Sequence, residues 1–561
     1  MPISRLFIVS LILFGPASVQ ASPAPERPGQ AAIASPHPLA TQAGEEVLRA
    51  GGNAFDAAVA VSAALAVVEP YGSGLGGGGF FLLHRAEDGH EVMVDARETA
   101  PAAARRDMFV DEQGERIPGL SLDTVLAAGI PGLPAALVHL SREYGRLPLG
   151  TVLAPAIRYA EDGFEVYSRL LTGLERKRAE LAASPASAEV FFPAGDLPEL
   201  GSRLRQHDLA RTLRRLAEQG HDGFYAGPVA EALVAAVQAE GGLWTLEDLA
   251  GYRIVERAPI VSRYRGARIV SAPPPSSGGV VLATMLNILE GYDLQALPAD
   301  AATHLVIEAM RRGYRDRALY LGDPDFVDVP VARLIHPMYA AGLRAAIRTD
   351  RAMPSDHLPG LGAREDGPQT THFSIIDGDG NRAAVTQTLN FWFGSGIMAA
   401  GTGVLLNNEM DDFSARPGLP DGFGLVTGEG NAIAPGKRML SSMTPTFVET
   451  PDGVAVLGTP GGSRIISMVL LGVLARVDEQ ASAGEMVARR RFHHQYLPDR
   501  VVHEPDALEA AVVEALRARG HELEETRRDY GNLKVVTWDY GENRVEAATD
   551  PRGERGEALV Y

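Results

Sequence analysis

Residues Gly367 to Gly396 read GPQTTHFSIIDGDGNRAAVTQTLNFWFGSG, and the fold is decided by how this stretch pairs with itself. From Thr371 to Ile376 the residues are β-branched, aromatic or alternating. Asp377-Gly378-Asp379-Gly380-Asn381 is dense in turn formers, and Ala383 to Leu389 alternates again. That pattern predicts a β-hairpin. Antiparallel strands folded about Asp379 bring Thr370 opposite Thr388, close enough for the two hydroxyls to hydrogen-bond. Thr370 stands at the start of the first strand and Asn390 just past the end of the second. A threonine opening a strand is by itself only a good β-former, so its meaning comes from its surroundings.

Immediately before Thr370 runs an irregular stretch, Met353 to Gln369, rich in Pro, Gly and mixed charge, which reads as a linker. A cut between Gln369 and Thr370 leaves a threonine with a free α-amino group beside its own hydroxyl. Such an amine has a pKa of roughly 7.7–8.0 and can act as a base near neutrality. A threonine hydroxyl is a poor nucleophile alone, and an adjacent N-terminal amine is one way to activate it. The same hydroxyl, attacking the Gln369 carbonyl in the uncut chain, makes the cleavage self-inflicted.

The rest of the chain narrows the alternatives. Its 561 residues, 45% hydrophobic and 22% charged, support one large or two ordinary globular units. A net charge of −19, spread without blocks, argues against nucleic acid. The basic runs Arg311-Arg312 and Arg489-Arg490-Arg491 suit solvated faces or internal ion pairs. There are no cysteines, which removes thiol nucleophiles, disulfides and thiolate metal sites. Met1 to Ala21 has a basic start, a short apolar run and a small-residue end at Val19-Gln20-Ala21. It reads as a secretory signal peptide and implies a periplasmic or secreted protein.

Ala54 to Val68 is apolar nearly all round, the pattern of a buried helix. Gly72 to Leu83, GSGLGGGGFFLL, formally matches a dinucleotide fingerprint, but a helix precedes it and a strand follows, the reverse of the required order. Its glycines suit close backbone approach around a site. Ala272 to Gly279, APPPSSGG, precedes another apolar helix, and Asp316 to Asp328 reads as a turn without the glycine and terminal Glu of a calcium loop. His493-His494 reads as a packed, hydrogen-bonding pair with no carboxylate at ligand spacing. No serine-hydrolase elbow, Walker A loop or zinc-protease helix is present. Nothing in these residues requires a metal or a cofactor.

Taken in order, GGNAFDAAVAV, GLGGGGF, ARETAP, PPPSSGG, YLGDPDF, QTTHFSIIDGDGN, LLNNEMDDFS, KRMLSSMTPT, GTPGGSRI and RFHHQYLPD resemble the gamma-glutamyltransferase family over nearly all of residues 31–561. The resemblance implies an α+β, N-terminal-nucleophile hydrolase fold, an αββα sandwich of two mainly antiparallel sheets between helical layers. It implies a precursor cut into a large subunit (22–369, after loss of the signal peptide 1–21) and a small subunit (370–561), forming one heterodimer. It further implies transfer of γ-glutamyl groups from glutathione-like donors to water, amino acids or peptides, with neither metal nor cofactor.

Residue by residue, the resemblance makes Thr370 the nucleophile, Thr388 its hydrogen-bond partner, and Gly461 and Gly462 the oxyanion hole. The placing of those glycines between a strand and a helix start agrees with that role. Arg97, with Ser441 and Ser442, matches the grip on the donor's α-carboxylate; Asn390, Glu409 and Asp412 match the cradle of its α-amino group. The sequence departs from the family twice. In the lid-like segment Pro417 to Gly428, Phe423 stands where some members carry a tyrosine, and cannot hydrogen-bond to Asn390. Phe391-Trp392 is also bulkier than in many relatives, which bears on the acceptor. Two other readings stay open: a glutaryl or cephalosporin-acylase-like amidase of the same fold, and a catalytically silent binding scaffold.

Overall fold

The computed structural model describes residues 27–357 and 370–561. The signal peptide expected over 1–21, residues 358–369 of the linker-like stretch, and Gln369 with them lie outside the described residues.

The hairpin forms in the predicted register. Strand Thr371–Ile376 pairs antiparallel with Arg382–Thr388, with Ile376 opposite Arg382 and Thr371 opposite Gln387. Its turn is fixed by one carboxylate: Asp377 Oδ1 accepts the N–H groups of Asp379 at 2.9 Å and Asn381 at 3.0 Å. Asp377 Oδ2 accepts the Ala54 N–H at 2.8 Å. One side chain thus closes the hairpin and places negative charge at the start of helix Ala54–Val68, where the helix dipole favours it. That helix, whose N-terminus also carries an Asn53/Asp56 capping box, is buried at every one of its 15 residues, as its all-round apolar pattern predicts.

The hairpin forms the middle of a seven-stranded antiparallel sheet. From edge to edge its strands are Glu557–Val560, Ala32–Ser35, Thr371–Ile376, Arg382–Thr388, Gly78–Arg85, His90–Ala96 and Val255–Arg257. Strand periodicity divides its side chains between two cores. Ile33, Phe81, Leu83, Phe373, Ile375 and Val385 pack under helices that include Pro38–Arg49, Ala54–Val68 and Leu149–Asp162. Their neighbours Ala32, Ala34, Phe80, Leu82, Ile376 and Ala384 face the other way, onto the second sheet. That sheet has six antiparallel strands: Arg544–Thr549, Lys534–Asp539, Gly453–Gly458, Thr446–Thr450, Ala267–Ser271 and Ile260–Tyr264. Helices Gly278–Leu289 and Ile465–Asp478 cover its far face. The order is helix, sheet, sheet, helix, the α+β sandwich expected.

Both sheets combine strands from before residue 358 with strands from after residue 369. The first and last strands lie side by side, Ala32 opposite Val560. Among the described residues no helix is long and apolar enough to cross a membrane. The basic pair Arg311 and Arg312 takes the internal role, both bound to the buried Glu308. One expectation changes: the turn read from Asp316 begins later, because helix Ala299–Tyr320 continues through the first residues of that stretch. Its charged residues are accommodated by partners, with Asp316 held by Arg315 and Tyr339.

The glycine-rich stretch does what close backbone approach requires. A Cβ on Gly76 would stand 1.9 Å from the Leu405 carbonyl oxygen, and one on Gly77 would stand 2.0 Å from that of Thr388. These contacts are with backbone and cannot be relieved by a rotamer change. Gly77→Ala is therefore expected to destabilise the fold by about 1–3 kcal/mol or more and to displace Thr388. Thermal melting checks this, and an unchanged melting temperature contradicts it.

Candidate active site

Thr370 lies where the first hairpin strand opens, 9% exposed, with Oγ1 3.3 Å from Thr388 Oγ1. Thr388 is fixed in turn, its hydroxyl oxygen accepting the Asn390 N–H at 2.7 Å. Asn390 takes a left-handed conformation, φ 79°, one of the few such positions an Asn tolerates. The backbone reversal directs its carboxamide to the Asn408 carbonyl at 3.1 Å and to Asp412 Oδ1 at 3.2 Å. Thr371, one residue on, faces the helix layer and donates to Glu69 at 2.8 Å.

His372 shares the Thr370 face of the strand but is otherwise engaged. Its ring bonds Thr386 at 2.8 Å and Ser374 at 3.2 Å. Burial, with Lys534 nearby, holds its pKa well below the usual range, so it is neutral and occupied. No nearby histidine then serves as the base for Thr370. His493 and His494 are likewise spent on packing, bonding Ser467, Gln495 and Asp499.

Beside Thr370 is a buried, highly charged pocket lined by Arg97, Asn390, Glu409, Asp412, Ser441, Ser442 and Gly462. Arg97 follows strand His90–Ala96 directly, and its backbone N–H is held by Asp95 Oδ1 at 2.9 Å. Its guanidinium donates from Nε to the Met439 carbonyl at 3.3 Å, from Nη1 to Glu409 and from Nη2 to Asp412. Both carboxylates sit on the short turn Glu409–Asp412. The expected clamp on a carboxylate is thus turned partly onto the protein's own acids, and two of its five N–H groups remain for another acceptor. Glu98 approaches Arg97 Nη1 to 3.6 Å, and neither of its oxygens has a hydrogen-bond partner. Burial pushes its pKa up to about 8 against the pull of Arg97. Burial also raises Glu409 and Asp412, again opposed by Arg97. Three carboxyl groups about one guanidinium leave the cluster short of positive charge.

The two serines are held from behind. The Ser441 carbonyl accepts the Ser277 N–H at 2.8 Å and its hydroxyl at 2.6 Å, while Ser441 N–H donates to the Pro275 carbonyl at 2.9 Å. The PPPSSGG run therefore braces the serine loop. Ser441 Oγ accepts the Met443 N–H at 3.1 Å. Ser442 Oγ accepts at 3.3 Å from Nη2 of Arg317, a pocket residue that sequence reading passed over because its motif was taken for a turn. Gly461 and Gly462 stand between strand Gly453–Gly458 and helix Ile465–Asp478 with φ of 145° and 53°. A Cβ on Gly461 would also meet Met468 at 2.4 Å, so both positions require glycine.

Phe423 covers the pocket, its ring stacked on Phe391 at 4.5 Å and 9°. Its segment is anchored without any bond from Phe423 to Asn390. The Gly422 N–H donates to Asp411 at 2.8 Å, and Gln495 Nε2 donates to the Phe423 carbonyl at 3.3 Å. Arg116 donates to the Pro420 carbonyl at 2.6 Å and to Asp411. Trp392 is not among the residues lining this pocket, and packs on Tyr71 at 5.2 Å with Arg169 and Arg176 over its ring.

A strand-opening threonine between two stacked antiparallel sheets and two helical layers defines an N-terminal-nucleophile hydrolase. The chain belongs to the gamma-glutamyltranspeptidase family: the family model described as Gamma-glutamyltranspeptidase matches residues 40–560. A glutathione hydrolase proenzyme of Pseudomonas sp. (strain A14) is 44% identical over 554 residues, covering 96% of each chain. Among solved structures, cephalosporin acylase from Bacillus halodurans superposes with a TM-score of 0.84 at 29% identity, covering 98% of this chain and 99% of that one. Helicobacter pylori gamma-glutamyltranspeptidase gives 0.56 at 44% identity, covering 57% of this chain and 92% of its own.

The anchors of segment 417–428 can be tested directly. Arg116→Ala removes the bond to Pro420 and leaves Asp411 buried without its cation. The segment 417–428 is then expected to be cut several-fold faster by a probing protease under native conditions. An unchanged rate contradicts the assigned anchoring.

Proposed function

We propose that this protein is a self-processing γ-glutamyltransferase of the glutathione hydrolase type, with Thr370 as its nucleophile. The observation that carries the reading is the juxtaposition of the Thr370–Thr388 hydroxyl pair with a buried acidic cluster short of positive charge. An α-amino-acid head group supplies both signs at once. Its ammonium fits Asn390, Glu409 and Asp412; its carboxylate fits Arg97, Ser441 and Ser442, whose oxygens accept from within and whose hydrogens can turn to the ligand. Burial raises the pKa of Glu409 and Asp412, and an ammonium beside them favours their ionised form.

In the precursor the Thr370 hydroxyl attacks the Gln369 carbonyl, the acyl group passes from nitrogen to oxygen, and water releases it. Large (22–369) and small (370–561) subunits result. Because each sheet is built from strands of both, the two remain one heterodimer after the cut. The freed α-amine then takes the hydroxyl proton as Thr370 Oγ1 attacks the γ-amide carbon of a donor such as glutathione. Negative charge developing on the carbonyl oxygen is met by the N–H groups of Gly461 and Gly462, aided by the helix start at Ile465. The proton moves on to the leaving amine, and a γ-glutamyl ester remains on Thr370. Water, or the amine of an amino acid or peptide, attacks that ester and restores the hydroxyl. Phe423 and its segment cover the ester while the acceptor enters.

Residues 1–21 fit export, so the enzyme acts in the periplasm or outside the cell. A glutaryl amidase is the second reading, favoured by the structural likeness to a cephalosporin acylase. A glutaryl chain lacks the ammonium, however, and leaves Glu409 and Asp412 without a counterpart, so γ-glutamyl amides are the expected better substrates.

Thr370→Ala is expected to remain one uncut chain with activity at background, since cleavage and turnover need the same oxygen. A denaturing gel and a γ-glutamyl-p-nitroanilide assay read both. Two normal subunits from this variant would sink the mechanism.

A further inference from the structure

Gly461 and Gly462 both take positive φ, and a glycine pair of that kind is loose unless its peptides are held. A planar trans peptide points its C=O and N–H in opposite directions, so gripping one residue's carbonyl aims the N–H of the next. The N–H of Gly461 therefore follows the Pro460 carbonyl, and the N–H of Gly462 follows the Gly461 carbonyl. Neither N–H donates to another backbone carbonyl among the described residues.

Both carbonyls are gripped. Thr459 is fully buried, and its hydroxyl donates to the Pro460 carbonyl at 2.8 Å. The same hydroxyl oxygen accepts the Asn532 N–H at 3.1 Å, which ties it to the approach of the neighbouring strand Lys534–Asp539. The Gly461 carbonyl accepts the Arg464 N–H at 3.1 Å. That N–H shares a peptide with the Ser463 carbonyl, and the Ser463 carbonyl accepts the hydroxyl of Tyr314, a buried residue of helix Ala299–Tyr320. Two routes thus run from a buried hydroxyl to an oxyanion donor. Thr459 reaches Gly461 through one peptide, and Tyr314 reaches Gly462 through two. Hydrogen bonds in such a chain polarise one another, so each hydroxyl also strengthens the amide it aims.

Tyr314 is itself fixed. Its ring meets His493 edge-on at 5.4 Å and 84°. Burial holds the His493 pKa at about 3, so the imidazole is neutral. Its Nε2 lies 2.9 Å from Gln495 Oε1, and its Nδ1 lies 2.8 Å from Ser467 Oγ in the first turn of helix Ile465–Asp478. One imidazole therefore backs both the tyrosine and the helix that the glycines lead into.

We propose that Tyr314 and Thr459 are positioning residues of the oxyanion hole: Thr459 aims the Gly461 N–H, and Tyr314 aims the Gly462 N–H through the Ser463–Arg464 peptide. Their role rests on the reading of Thr370 as an acyl-transfer nucleophile, not on the identity of the donor. Neither side chain lines the pocket beside Thr370. Their loss is felt when the carbonyl oxygen turns negative, and leaves the grip on the head group alone.

Tyr314→Phe removes one hydroxyl, and Thr459→Val replaces the other with a methyl. Each is assayed as the mature two-chain enzyme on γ-glutamyl-p-nitroanilide. A misaimed donor costs less than a missing one, so kcat and kcat/KM should fall together on the order of 10-fold, with KM little changed. Thr459→Ser, which keeps the hydroxyl, should recover most of kcat. Inhibition by L-glutamate, which brings the head group but forms no oxyanion, should match the wild type in all three; general loosening of the pocket would weaken it. If Tyr314→Phe does not fold and self-cleave, the two Thr459 variants carry the comparison. A wild-type kcat in the matured variants, a loss that Thr459→Ser does not recover, or a loss that appears in KM and glutamate inhibition overturns the positioning role. A wild type that matures but ignores γ-glutamyl-p-nitroanilide is a different result, and overturns the γ-glutamyl reading itself.

Discussion

One antiparallel register governs the active centre. Side chains alternate across a strand, so a slip of one residue would turn Thr370 toward the helices and bring Thr371 to the pocket. Thr371 shows where that face leads: its hydroxyl is bound to Glu69. The register is pinned at the turn by Asp377, whose carboxylate also receives the first N–H of the buried helix Ala54–Val68. It is pinned again at the far end, where Gly77 has no room for a side chain beside the Thr388 carbonyl. Sheet closure on both sides of the hairpin then makes its open end, not its middle, the place where a nucleophile can meet substrate.

Charge in a buried pocket is the second constraint. Buried carboxyls resist ionising unless a cation approaches, and buried cations need acceptors. The cluster around Arg97 satisfies this incompletely, with both Glu98 oxygens and Glu409 Oε1 lacking hydrogen bonds, and Arg317 Nη1 likewise. The mismatch is directional: surplus acid on one side, an unused guanidinium donor on the other. A zwitterionic head group complements both, which neither a simple cation nor a simple anion does. The segment over the pocket is held separately, by the Phe391–Phe423 stack and the Arg116–Asp411 ion pair.

Much of this was legible in the chain. Alternation and turn formers gave the hairpin and its register, and an all-round apolar run gave the central helix, because both are set by local periodicity. Local signals also placed the close-approach glycines. Ordered motifs brought Arg97, Asn390, Glu409, Asp412 and the serines into one list, and the structure brings them into one pocket. What sequence did not reveal is who binds whom. Arg97 meets Glu409 across 312 residues, and Arg317 meets Ser442 across 125. No periodicity encodes those pairings. Arg317 was hidden for a further reason: the acidic residues at short spacing from Asp316 to Asp328 suggest a turn, whereas the helix runs through to Tyr320.

The proposed reaction runs on the α-amine and hydroxyl of one residue, Thr370. Quenching the enzyme during turnover of a γ-glutamyl donor, digesting it and locating the trapped acyl group by mass spectrometry tests this. A γ-glutamyl adduct is expected on the peptide whose free N-terminus is Thr370. An adduct on another residue, or a small subunit that begins elsewhere, would contradict it.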